Sequence, residues 1–136
     1  MMPAKTNAER LLIKPGDRVW IMGSGADLHT LVEPLPLDAR ATTSPSTGAS
    51  VAITFLRDTG DLPGGLDGHL NALAHVDAVW IGFPLGEDTE ITEDLLNQHL
   101  WQRGWRTIDR VSLSGAWAAL RARRQTVQEL AATGAE

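Results

Sequence analysis

The chain has 136 residues, 43% of them hydrophobic and 21% charged, the makeup of one globular domain with a single core. A formal net charge of −5 gives no general attraction to nucleic acid or to an anionic membrane, and neither is expected as a partner. The absence of cysteine excludes disulfides, thiolate catalysis, cysteine–zinc sites and iron–sulfur clusters.

The opening MMPAKTNAERLLIKPGD lacks the continuous apolar core of a signal peptide, and no apolar run approaches ~20 residues. The expected location is therefore the cytoplasm. Residues 1–13 read as a loosely held arm with a helical tendency from Ala4 to Leu12, residues 14–124 as a single α/β domain, and residues 125–136 as a helical or frayed tail. Pro15-Gly16 signals a turn before a strand at Arg18 to Met22. Gly23-Ser24-Gly25 ends that strand, and Ala26 to Glu33 allows barely two helical turns before Pro34 and Pro36. A weak strand at Ala39 to Thr43 runs into a small, polar surface loop, Thr42 to Ser50.

Val51 to Leu56 predicts a buried strand, and Leu66 to His75 a short helix with Leu66, Leu70, Leu73 and Ala74 facing inward. The apolar run Ala78 to Phe83 predicts a third strand, halted at Pro84 and Gly86. Thr92 can cap the next helix, with Glu93 and Asp94 suited to its positively polarised first turn. Leu95, Leu96, Leu100 and Trp101 make that helix's apolar stripe, and Gly104 its stop. A strand over Trp105 to Leu113 completes a strand–helix–strand unit. Ala116 to Arg124 is open to two readings. Propensity favours a helix, whereas alternation offers a strand hairpinned through Ser114-Gly115. Trp20 and Trp80 sit inside apolar runs and read as core. Trp101, Trp105 and Trp117 stay undecided, because a buried indole N–H needs a partner.

These segments line up with a known pattern: KPGDRVWI at Lys14 to Ile21, VAITFLRD at Val51 to Asp58, LNALAHVDAVWIGFP, EDLLNQHLWQRGW and RVSLSGAWAALRARR. Over roughly residues 12 to 124 the chain resembles the actinobacterial family of uncharacterised proteins called DUF3052. The resemblance implies a pared-down Rossmann-like sheet, similar to the core of class I methyltransferases, with no established activity. It also implies that Ala116 to Arg124 is the final strand. Trp117 is followed here by Ala118-Ala119 where the family usually has Ser-Gly, so no role of that pair carries over. The expected fold is a small three-layer α/β sandwich, with a mostly parallel sheet of five or six strands and a C-terminal antiparallel hairpin.

Gly23, Ser24 and Gly25 lie where such a sheet would bind S-adenosylmethionine or a nucleotide, since glycine lets backbone approach a ligand. The motif is incomplete, because Leu28 holds the third glycine position. An acidic ribose partner is expected about 20 residues further on, yet no Asp or Glu occurs from Ala39 through Arg57. The plainer reading is a tight turn. Pro84, Glu87 and Asp88 follow a central strand at the usual ligand edge, and with Glu90 offer acids or bases; alternatively they form a solvated acidic loop before a helix. The four histidines (29, 69, 75 and 99) show no metal-binding spacing, so no metal is expected. Arg121 and Arg123, near Trp117, would alternate on one strand face as a positive patch for a small anionic ligand or a protein partner. The plainer alternative is an edge strand protected by charge.

Two functional classes follow. One is a non-catalytic module without cofactor, acting through protein contacts or small-ligand sensing. The other is a small S-adenosylmethionine-dependent methyltransferase-like or nucleotide-binding enzyme. The short first helix and the missing acid favour the first, with no catalytic residue named. An uncovered sheet edge allows a homodimer.

Overall fold

The computed structural model describes residues 6–23, 30–43, 48–86 and 88–134, the side chains of 131–134 excepted. Six strands form one sheet: β1 (Arg18–Met22), β2 (Arg40–Thr42), β3 (Val51–Phe55), β4 (Ala78–Pro84), β5 (Trp105–Ser112) and β6 (Trp117–Arg124). Their order across the sheet is β2-β1-β3-β4-β6-β5. The first four are mutually parallel, and β6 runs antiparallel to both β4 and β5.

Apolar side chains on both faces explain why β3 and β4 sit centrally. All five residues of β3 are buried, as are the first six of β4. Such continuous burial is the mark of strands covered on two sides. One face holds Val19, Ile21, Ile53 and Trp80 under helix α1 (Asn7–Arg10) and the 3₁₀ turn Thr30–Val32. The other holds Trp20, Leu56, Ile81 and Leu120 under the Thr59–His69 turns, α2 (Leu70–Leu73) and α3 (Glu93–Gln102). The result is a three-layer α/β sandwich of Rossmann-like type, its sheet mostly parallel and ending in an antiparallel hairpin.

Four expectations are corrected. The predicted loose arm is docked from Asn7 onward. Ala8, Leu11 and Ile13 are buried, the Trp80 indole N–H donates to the Leu11 carbonyl at 2.9 Å, and the Asn7 amide donates to Leu31 O and Leu113 O at 2.8 Å. The predicted Leu66–His75 helix is α-helical only over Leu70–Leu73. Pro63-Gly64-Gly65 and Gly68 leave the approach as short 3₁₀ and π turns, because glycine gives up too much backbone entropy to propagate a helix. Trp101 does not join the buried stripe of α3: Leu96 and Leu100 are buried, while Trp101 is 41% exposed. Finally, β6 is not an edge strand.

That last correction has a plain cause. Only the first residue of β5 (WRTIDRVS) is buried, whereas β6 carries Ala118, Ala119, Leu120 and Ala122, all buried. The chain turns at Ser114-Gly115 and lays the apolar strand into the gap between β4 and β5. Charge on the edge is thus supplied by β5, which also has a bulge between Thr107 and Asp109. Both devices discourage pairing with another chain.

The α3 segment forms as its caps predict. The Thr92 hydroxyl accepts from the Leu95 N–H at 3.1 Å, Glu93 and Asp94 occupy the first turn, and Gly104 (φ +81°) follows the last. A last helix, α4 (Val127–Gly134), follows β6. The predicted helix from Ala26 and the loop from Thr42 fall partly on residues 24–29 and 44–47, outside the described residues. No described helix is long and apolar enough to cross a membrane.

Candidate functional site

In an open parallel sheet, ligands gather at the carboxyl ends of the strands, where the chain direction switches sides. Here the chain leaves β1 for β2 on one side and returns with β3 on the other, so the switch point lies between the ends of β1 and β3. Gly23 stands at that point. Its φ is +115°, and a Cβ there would come within 2.9 Å of Phe55 Cβ and 3.1 Å of Phe55 O. The positive φ and the close approach of the neighbouring strand both call for glycine here. Ser24 and Gly25 lie outside the described residues.

Phe55 dominates this edge. Its ring packs on the bare backbone of Gly82 in β4, where a Cβ would fall 2.6 Å from Phe55 Cδ1. On its far side it meets Trp117 edge to face, centroids 5.5 Å apart at 86°. The Arg57 guanidinium lies 5.9 Å from the Trp117 ring centroid, within cation–π range. Pro84 pairs with Trp117 in the β4–β6 register, and the Leu85 N–H donates to Ala116 O at 2.8 Å. Gly23, Pro84 and Trp117 therefore share one edge, joined by Phe55, Arg57 and Gly82, which no local signal in the sequence marks.

The acidic loop adds little structure to this edge. Asp88 and Glu90 are exposed, and neither makes an ion pair among the described residues; Glu87 is not described. No Asp or Glu occurs in the sequence from Ala39 through Arg57, the stretch that contains β2 and the residues after it. Asp38, the nearest in sequence, precedes β2 in a left-handed conformation (φ +62°), and so lies toward the opposite edge.

Arg121 and Arg123 are also at that opposite edge. β6 runs antiparallel to β4, so Arg121 pairs with Trp80, and Arg123 lies beyond Ala122, the partner of Val79. Four residues at about 3.3 Å each put Arg121 roughly 13 Å from Trp117 along the strand. Pro84 and Trp117 thus stand on one surface and the two arginines on a second.

The second surface has its own order. Glu129 of α4 accepts from Arg123 at 3.0 Å and from Arg106, and its Oε1 also accepts from the Thr126 N–H at 2.8 Å. The Thr126 hydroxyl in turn accepts from the Glu129 N–H at 3.2 Å. This is a capping box, legible in the sequence as Thr126-Val127-Gln128-Glu129. The Thr126 N–H, then Arg123, then Arg106 hold the Glu129 carboxyl at about 2, well below its ordinary 4.5. On the opposite face of the sheet, Asp67 joins His99 at 2.7 Å and Arg103 at 2.9 Å, tying α3 to the turn before α2. No cluster of three metal-binding side chains occurs among the described residues.

No family model matches the chain, and no curated protein does. Among solved structures it is similar to a Streptococcus pneumoniae protein provisionally assigned as a tRNA methyltransferase, in complex with S-adenosyl-L-methionine. The identity is 14% and the TM-score 0.43, over 79% of this chain and 54% of that one. The chain thus spans about half the length of that structure.

Proposed function

We propose that this protein is a non-catalytic Rossmann-like module, acting in the cytoplasm through protein contacts or by sensing a small ligand. One observation carries the reading. Beside the switch point, where a dinucleotide or S-adenosylmethionine would enter, Gly23 lies against the Cβ and backbone of Phe55, whose ring packs on Gly82 and meets Trp117 edge to face. Packing against Phe55 gives both glycines a reason of their own, which supports a reading without cofactor. The resemblance to the DUF3052 family, which has no established activity, agrees with this, as does the missing acid after β2.

The alternative is a small S-adenosylmethionine-dependent methyltransferase-like or nucleotide-binding enzyme. Calorimetric titration with S-adenosylmethionine, S-adenosylhomocysteine, NAD and ATP separates the two. The binding-module reading expects no saturable micromolar binding of any of them. Saturable binding that Gly25→Val abolishes would sink it.

A further inference from the structure

The amino edge of the sheet carries a cleft of about 240 Å³, lined by Leu12 of the docked arm, Lys14 and Asp17 after it, Ser50, Asp77 and Arg121. The chain enters β1, β3 and β4 here, and antiparallel β6 delivers Arg121 to the same end. The cleft is smaller than the ~300–1,000 Å³ of sites for drug-sized ligands, and suits a molecule well below a dinucleotide in size. Its charges are of both signs, and they do not neutralise one another. Among the described residues Lys14, Asp77 and Arg121 make no ion pair and no side-chain hydrogen bond. The Asp17 carboxylate accepts from the Lys14 backbone N–H at 2.8 Å. Asp109 stands opposite Arg121 in register, but its carboxylate accepts from the Arg110 N–H at 2.8 Å.

Leu12 gives the cleft an apolar wall. It closes α1 in the left-handed region: φ is +68°, its N–H donates to Glu9 O at 3.1 Å, and the Ile13 N–H donates to Ala8 O at 3.0 Å. Glycine is the usual residue at that position, because a Cβ is strained there. Leu11 and Ile13 on either side are buried, whereas Leu12 stays 40% exposed. Its side chain serves the cleft and not the core. The charges narrow the occupant further. A purely anionic ligand would meet Asp17 and Asp77 beside the cations, and a purely cationic one would meet Lys14 and Arg121. A ligand bearing both charges finds a partner for each.

We propose that this cleft binds a small zwitterion, an α-amino acid with an aliphatic side chain. Its carboxylate is held by Arg121 and Lys14, its ammonium by Asp77 and Asp17, and its side chain lies on Leu12. Leu12 and Lys14 belong to the segment that joins the arm to β1, whereas Asp77 and Arg121 belong to the sheet, so the ligand spans the two. Binding therefore favours the docked arm, whose Leu11 carbonyl accepts from the Trp80 indole. The proposal rests on the small-ligand branch of the binding-module reading and names its ligand class.

The test uses the full chain, with L-leucine as the probe and amide NMR as the readout. L-Leucine should bind saturably and shift the signals of residues 12, 14, 17, 50, 77 and 121. 4-Methylpentanoate, which lacks the ammonium, and 3-methylbutylamine, which lacks the carboxylate, should each bind about tenfold more weakly or worse. Asp77→Asn and Arg121→Gln should each weaken L-leucine by about tenfold, with circular dichroism checking the sheet. Leu12→Gly should weaken L-leucine without weakening glycine. Saturating L-leucine should slow exchange of the Trp80 indole N–H and of the amides of residues 11–13. No saturable binding up to about 10 mM would overturn the proposal. So would equal binding of either half-molecule, shifts confined to the carboxyl edge, or exchange left unchanged at saturation. The half-molecule comparison needs no variant, so a variant that misfolds leaves the test intact. Binding of S-adenosylmethionine in the earlier titration would defeat the module reading at the opposite edge, whereas failure of L-leucine would defeat the cleft alone.

Discussion

Phe55 is the residue on which the carboxyl edge of the sheet depends. Its ring takes the space left by the missing side chain of Gly82, and its Cβ and backbone crowd the place where Gly23 has none. Gly82→Ala would set a methyl 2.6 Å from Phe55 Cδ1, and the ring, hemmed by Trp117, has little freedom to move. We expect a loss of about 1–3 kcal/mol in urea unfolding, the usual cost of overpacking a dense core. A neutral result would mean that the ring is loosely held and the edge open. Gly23 was legible as a special position from its neighbours in sequence. Gly82 was not, because its reason lies on another strand, 27 positions earlier in the chain.

At the scale of elements, local chemistry accounts for some segments and neighbours for others. α3 was readable because Thr92, the two acids after it and Gly104 each act within a turn of their own position. α4 carries a capping box, but its Glu129 is also paired with two arginines contributed by β5 and β6. Its response to pH follows from Glu129, whose carboxyl is held at about 2 in the folded state, against an ordinary 4.5. A depressed carboxyl pKa contributes stability fully above 4.5, progressively less as pH falls toward 2, and none below. Helix α4 should therefore fray over that interval, seen as faster amide exchange in residues 127–134, and Glu129→Gln should lack the transition. A helix that stays protected below pH about 2 would show that the carboxylate is not its anchor.

The whole molecule is tied together from its N-terminus. Trp80, at the centre of the sheet, donates its indole N–H to Leu11 across 69 positions, and Asn7 reaches Leu113 across 106. Residues 7–13 are therefore part of the core. Leu11→Ala, at a fully buried site, should cost about 2–5 kcal/mol and lower the midpoint of one cooperative transition. An effect within ~0.5 kcal/mol would restore the picture of a loose arm.

By itself the sequence determined the fold class and nearly every strand, because burial on one or two faces writes a period into neighbouring residues. It also determined the cap of α3, while the turn at Ser114-Gly115 belonged to one of two readings of the residues after it. Tertiary structure alone decided which strand lies inside and which at the edge. β6 fills the gap beside β4 because its alanines and Leu120 can be buried on both faces and the charges of β5 cannot. Tertiary structure likewise separated Trp117 from Arg121 and Arg123, which nearness in sequence had grouped. An extended strand carries residues only a few positions apart to opposite edges of a sheet, and no local pattern records which edge each will reach.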